Sequence, residues 1–434
     1  MRDLFVTAVV LGILPLILRA PYIGILLWSW LGYMNPHRLA YGFAVTAPFA
    51  QITAIVTIIG LLINLKKESM KVPWSREVIV LLMFVIWMLI STIDAHYPQF
   101  AWPQFTKVIK IQVMIVLTLM LINTRPRIHH VVWIIALSLG FYGIKGGIFT
   151  LTTGGGSHVR GPNGTFIGGN NEIALALIMT IPLMRYLQLQ AKQRWLQLGL
   201  MGAMGLSVVS VFGTQSRGGL VGLVVMGSYF FLKSRNKFRI LLPFLLIAPL
   251  GLNFMPQSWW DRMNTIETYE EDQSANERLD AWKYAIDKAV EEPLTGGGYS
   301  TFIAHGTDAH SIYFEVLGEH GFVGLGLFLA LGALTLLTGR SINASIKKRK
   351  DLVWASDLSS MIQVSLAGYA ACGAFLGLAY FDFFYHLVAL MVMLKVVVDR
   401  ELAIIGPEST IAGDTSVSEK PPSRFKPMHS IADG

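Results

Sequence analysis

The stretch PQSWWDRMNTIETYEEDQSANERLDAWKYAIDKAVEEPLTGGGYSTFIAHGTDAHSIYFEVLGEH, residues 256–320, decides how this chain folds. It is the one long polar run in a 434-residue sequence that is 53% hydrophobic and 14% charged. Soluble proteins carry about 25% charged residues. Apolar runs recur on both sides of it, so they read as membrane spans and the polar run as a loop outside the bilayer. Residues 256–308 hold eleven Asp/Glu against four Lys/Arg, although the whole chain is net +8. The positive excess therefore sits in the other loops, where it marks a cytoplasmic face and not a nucleic-acid surface. Cys372 is the single cysteine, which excludes an intramolecular disulfide and a thiolate metal cluster.

Working outward, spans are expected at 44–65, 77–93, 107–123, 131–152, 170–188, 196–213, 220–232, 240–255, 311–337, 357–379 and 383–398. The first apolar pieces, 4–18 and 21–34, are short and interrupted by Pro15 and Pro21, and form either one broken crossing or a shallow hairpin. Met1 to Leu18 lacks a small-x-small cleavage site and reads as a retained anchor. Lys/Arg clusters at 66–76, 125–127, 192–194, 233–239 and 340–350 place those loops in the cytoplasm. Loops 154–169, 214–219 and 256–309 then face the other side. With the amino terminus also cytoplasmic, residues 4–34 make one net crossing. The expected fold is an all-α polytopic integral membrane protein of about 12 transmembrane helices. One long helical loop, 256–309, is inserted in a membrane domain at 1–400, and a polar tail, 401–434, is expected to be disordered and cytoplasmic.

Three groups on the non-cytoplasmic side carry candidate chemistry. Arg217 lies in the minimal turn Gln215-Ser216-Arg217-Gly218-Gly219 between two spans. An arginine there binds an anion beside free backbone N–H groups, or it snorkels to the interface. Arg278 lies on a helix whose start is marked by the capping-box spacing of Ser274 and Glu277. Leu279, Trp282, Ile286 and Ala289 recur at helical spacing and are expected to lie on the bundle, with Arg278 at the stripe's edge. It points into a crevice, or it makes a surface ion pair with Glu277 or Asp280. His310 starts the span after the loop and is a proton-exchanging group, an interfacial histidine or a cap. His305 and His310 flank Asp308, but no third ligand completes a metal pattern. Arg160, Asn170 and Asn171 share this side and bind a sugar or phosphate, or cap the helix that begins near Asn171.

The segments Gln215-Ser216-Arg217-Gly218-Gly219, Glu277-Arg278-Leu279-Asp280-Ala281-Trp282 with Gly296-Gly297-Gly298-Tyr299, and Ala309-His310-Ser311 running into Glu319-His320-Gly321-Phe322-Val323-Gly324-Leu325 occur in an order that resembles the bacterial O-antigen ligase and polymerase superfamily. The opening to Pro36, and the stretch from Gly161-Pro162-Asn163 to Asn170-Asn171-Glu172, look like a branch of O-glycosylation ligases. The resemblance covers most of the chain except the tail. It implies a glycosyltransferase of the bacterial inner membrane with a periplasmic active site and a periplasmic loop. The implied donor is a glycan on undecaprenyl diphosphate, and the implied acceptor a hydroxyl of the lipid A core of lipopolysaccharide, or of a protein. It further implies Arg217 and Arg278 as diphosphate binders, His310 as the base, and chemistry without a metal or other cofactor. Gln215, Tyr299 and Ser311 join Arg160, Asn170 and Asn171 as expected substrate contacts. A Wzy-type polymerase, with a second lipid-linked glycan as acceptor, and a protein O-oligosaccharyltransferase are the near alternatives. A transporter needs ionisable residues along a mid-bilayer path, whereas these cluster at one face.

Overall fold

The computed structural model describes residues 1–68, 71–233, 256, 257, 260 and 273–404. Met1–Val398 form one compact unit; the second, Asp399–Gly434, is described as far as Ile404, where it is helical. The helices are α1 (Arg2–Arg19), α2 (Tyr22–Tyr33), α3 (Phe49–Ile63), α4 (Arg76–Ile93), α5 (Pro98–Leu121), α6 (Arg125–Thr152), α7 (Asn170–Gln190), α8 (Arg194–Gly213), α9 (Arg217–Lys233), α10 (Gln273–Glu291), α11 (Thr301–Ala304), α12 (Ile312–Ser345), α13 (Val353–Gly373) and α14 (Asp382–Ile404). Among the described residues there is no strand, as an all-α polytopic membrane protein requires. Six helices, α4 to α8 and α12, are long and apolar enough to cross a bilayer. The span expected at 240–255 and the tail from 405 onward lie outside the described residues.

Helix α7 is the centre. Its run from Ile173 to Met184 is buried without a break, because α6, α8, α9 and α13 surround it. Small residues let these helices approach closely, since burial of apolar surface offers no drive inside lipid. A Cβ at Gly147 of α6 would lie 2.3 Å from the Leu206 carbonyl oxygen of α8.

The amino-terminal pieces fold as a hairpin, the second of the two arrangements open from the sequence, and neither α1 nor α2 is among the helices long and apolar enough to cross a bilayer. Asp3 Oδ1 accepts the Gly42 and Ala44 N–H groups at 2.9 and 3.1 Å, so α1 begins beside the segment that precedes α3. At the other end Asn64 Nδ2, just past α3, donates to the Leu18 carbonyl at 2.7 Å. Helix α1 therefore runs alongside α3 in the same direction, and α2 returns between them. The Tyr22 ring lies 4.6 Å from the Arg127 guanidinium, at the basic end, and the Met34 carbonyl accepts from Tyr142 Oη at 2.5 Å, at the far end. The start of α1 and residues 36–45 thus share the face opposite the basic loops. The sequence carries too few charges around 20–35 to reveal that reversal.

Helix α10 is described from Gln273, one residue before the expected cap Ser274, and the residues just before it lie outside the described residues; it turns a different face inward from the one expected. Ala281, Ala285 and Ala289 are buried, whereas Leu279 is 50% and Ile286 45% exposed. The reason is closeness to α12: a Cβ at Gly318 would lie 3.3 Å from the Ala285 Cα, so only alanine fits that side. Trp282 keeps its expected place and stacks on Phe314, with ring centroids 4.9 Å apart and 18° between planes.

Helix α12 breaks at Gly321, whose φ of +66° and ψ of −169° are not helical. The break strands carbonyl groups, and each finds a donor, as buried backbone must. Gly297 and Gly298 N–H donate to the Gly318 and Glu319 carbonyls at 2.9 and 3.1 Å. Trp87 Nε1 donates to the His320 carbonyl at 3.1 Å. The glycine turn 296–298 and the segment 319–325 are therefore one structural unit.

Candidate active site

Residues remote in sequence meet at the face opposite the basic loops. Their common support is the end of α13 and the segment that follows it. From one side the turn carrying Arg217 packs there: a Cβ at Gly218 would lie 3.1 Å from Phe375 Cβ and 3.7 Å from the Cys372 carbonyl oxygen. From the other side comes the start of α12: a Cβ at Gly373 would lie 2.6 Å from Ile312 Cδ1. Gly377 completes the junction, since its Cβ would lie 3.0 Å from Asp308 Oδ1 and 3.6 Å from both Glu315 Oε2 and the His310 nitrogen. The turn of Arg217 and the segment of His310 are thus two sides of one support.

Arg278 enters from above. The contacts Trp282 to Phe314 and Ala285 to Gly318 advance along α10 and α12 in the same direction. One turn back from Trp282 is Arg278, and four residues back from Phe314 is His310. Arg278 thus lies about 5.4 Å along α10 from the Trp282–Phe314 stack, and His310 lies two residues before the start of α12. Arg278 is half-buried on the packed side of α10, beside the alanine face and not at the edge of a Leu/Ile stripe.

His310 itself is half-exposed, and its backbone has a φ of +49°. Left-handed backbone is uncommon without glycine and concentrates where a side chain must be aimed. Its Nδ1 lies 4.0 Å from Asp308 Oδ2. Gln215, two residues before Arg217, is also left-handed, with a φ of +54°.

Several expected contacts are engaged within the protein. Gln215 Nε2 donates to the Gly155 carbonyl at 3.0 Å, and Asn170 Nδ2 donates to the Thr214 carbonyl at 3.0 Å. Both tie the strap 153–169 to the turn of Arg217. Asn171 lies in the first turn of α7, whose cap position is Gly169, so neither asparagine caps that helix. Ser311 is the cap of α12, its Oγ accepting the Tyr313 N–H at 3.3 Å. Tyr299 is fully buried, its hydroxyl on Met88 Sδ at 2.7 Å and its ring edge-on to His320 at 4.5 Å. That burial raises its pKa well above the ordinary tyrosine value. Arg160 is exposed and lines a different cleft, described below.

Sequence reasoning passed over a second set of groups. Glu315 Oε2 accepts the Ala379 N–H at 2.8 Å. Glu319 accepts the Ser300 N–H and the Tyr380 hydroxyl, both at 2.6 Å. Glu172, at the start of α7, lies within electrostatic reach of Asp308 and His310. The Lys107 ammonium sits 3.9 Å from the centre of the Phe166 ring and within electrostatic reach of Asp382 and Glu315. Phe166 in turn packs against Phe381, ring centroids 5.9 Å apart. Lys107 interrupts an apolar span, and an ionisable residue there signals a functional site by itself. No group of three His, Cys, Asp or Glu side chains converges to hold a metal among the described residues.

Chemically, the site offers two arginines, one imidazole beside a carboxylate, and an acidic surround. Guanidinium groups stay charged at all relevant pH and fork onto phosphate oxygens. A family model described as O-antigen ligase matches residues 202–329, which contain Arg217, Arg278 and His310. A family of unknown function, DUF5935, matches residues 1–192. No curated protein matches the chain.

Proposed function

We propose that the chain is a glycosyltransferase of the O-antigen ligase superfamily, a reading supported by the family-model match at residues 202–329, and that it moves a glycan from undecaprenyl diphosphate to a hydroxyl of lipid A-core. The reaction runs at the periplasmic face of the inner membrane and needs no metal. Arg217 and Arg278 hold the diphosphate, and their charge offsets the charge that grows on it as the sugar–phosphate bond breaks. His310 takes the proton of the acceptor hydroxyl as its oxygen bonds the anomeric carbon. Attack opposite the leaving diphosphate inverts that carbon. Asp308, 4.0 Å away, is a positioning residue that favours the imidazolium so formed. Gln215, Asn170 and Ser311 act at one remove, by fixing the strap, the arginine turn and the start of α12. Asn171 remains a candidate sugar contact, since it stands beside Glu172 on the same face.

The observation that carries this reading is the common support at the end of α13, against which both the turn of Arg217 and the segment of His310 pack. The experiment is transfer by purified protein in liposomes with a defined lipid-linked donor and lipid A-core. The expected result is transfer that survives a chelator and is lost in His310→Ala at unchanged yield and melting temperature. Full transfer by His310→Ala removes the base role. Transfer abolished by chelator and restored by a divalent cation removes the metal-free mechanism.

A further inference from the structure

A cleft of about 310 Å³ lies between α6 and residues 158–162 of the strap, on the same face as the site above. Lys145, His158 and Arg160 line it together with Leu39, Tyr142 and Phe149, and no acidic residue is among its walls. No ion pair or hydrogen bond inside the protein engages Lys145 or Arg160 among the described residues. The cleft shares no wall with the Arg217–Arg278–His310 site. The strap separates them: its residues 158–162 form the cleft wall, whereas Phe166 faces Lys107 and Phe381. Val159 N–H fixes that partition by donating to the Gly213 carbonyl at 2.9 Å.

The depth of Lys145 matters. It sits seven residues before the end of α6, about 10 Å down the helix. It is flanked on one row by Phe141, 41% exposed, and Phe149, 40% exposed. A cation in an exposed row between two aromatic rings offers an anion on a hydrocarbon tail both a charge partner and an apolar wall. Arg160 and His158 close over the same space from the loop side. The chemistry matched by such a wall is a phosphate head with an apolar tail beside Phe141 and Phe149.

We propose that this cleft is a second lipid-phosphate site, which seats the phosphorylated head group of the acceptor lipid while the first site holds the donor diphosphate. The inference takes its purpose from the transferase reading, but the binding it asserts stands apart from catalysis. It also assigns the acceptor to phosphorylated lipids and not to protein hydroxyls.

The test is equilibrium binding to the full-length protein in detergent, read by native mass spectrometry, so that no turnover is needed. Probes are lipid A, lipid A with its phosphates removed, phosphatidylglycerol and inorganic phosphate. The expected result is binding of lipid A that weakens about tenfold or more in the variant carrying Lys145→Ala and Arg160→Ala. Arg160→Ala alone, a change in an exposed loop residue, gives a partial loss in the same direction. Arg217→Ala with Arg278→Ala leaves it unchanged, and the dephosphorylated probe and inorganic phosphate bind weakly. Equal binding of lipid A to wild type and the Lys145/Arg160 variant overturns the proposal, as does equal binding of the dephosphorylated probe. Phosphatidylglycerol binding as tightly as lipid A also overturns it, because the cleft is then an anchor for bulk lipid. Absence of transfer by the wild type, with lipid A binding intact, contradicts the transferase reading alone.

Discussion

Trp282 lies nearly flat on Phe314, ring centroids 4.9 Å apart and 18° between planes, and this stack joins the helix of Arg278 to the first turn of the helix that follows His310. An aromatic pair contributes about 0.5–1.5 kcal/mol beyond the area it buries. Its larger value here is registration. Trp282→Ala is expected to lower kcat/KM for glycan transfer by about tenfold with the protein still folded. Trp282→Phe keeps a ring on Phe314 and is expected to retain most activity. Steady-state kinetics of the two variants in liposomes check this.

The break in α12 at Gly321 makes a stability prediction. Its φ is +66°, and a Cβ there would lie 2.4 Å from the Leu294 carbonyl oxygen. Gly321→Ala combines a disfavoured backbone, which costs about 1–3 kcal/mol, with a backbone clash. It is expected to lower the melting temperature in detergent and the yield of monodisperse protein. Gly326→Ala on the same helix meets nothing within 4 Å and is expected to leave both unchanged.

The junction at Gly377 separates aim from assembly. A Cβ there would lie 3.0 Å from Asp308 Oδ1, close enough to push the carboxylate whose Oδ2 lies 4.0 Å from His310 Nδ1. Gly377→Ala is expected to reduce kcat several-fold, about 3–10 times, with donor KM nearly constant. A change confined to KM contradicts the placement of Asp308 beside the base. Single-turnover rates at saturating donor distinguish the two.

How much of this was legible in the sequence divides along physical lines. The spans were legible because lipid demands long apolar helices, and the positions of α3 to α9 and α12 to α14 follow hydropathy. Loop charge put the turn of Arg217 and the segment of His310 on one side, and both pack against the end of α13. The direction of α1 was not legible, since it is fixed by Asp3 capping the 42–44 segment, a contact no charge count encodes. The inward face of α10 was misread because alanine carries little hydrophobic signal, and its selection there is set by Gly318 on another helix. Gln215, Asn170, Ser311 and Tyr299 were expected to contact substrate, and their side chains are engaged by the protein itself. The approach of Lys107 to Phe166 joins distant parts of the chain, so only the lysines at 107 and 110 in an otherwise apolar span hinted at it.

The two arginines are expected to be irreplaceable by lysine. A guanidinium forks onto two phosphate oxygens, whereas an ammonium is a point charge. Arg217→Lys and Arg278→Lys are each expected to lower kcat/KM by about 10–100-fold, with folding intact by melting temperature. If either lysine variant works as well as wild type, that position is a snorkelling cation and not a diphosphate clamp.

The most direct test of the convergence is a cryo-electron microscopy structure of the protein in lipid nanodiscs with undecaprenyl diphosphate bound. The account predicts phosphate oxygens at about 3 Å from the guanidinium groups of both Arg217 and Arg278, with the His310 imidazole facing the bond to be broken. A diphosphate seated beside Lys145 and Arg160 instead, with Arg217 and Arg278 untouched, would contradict it.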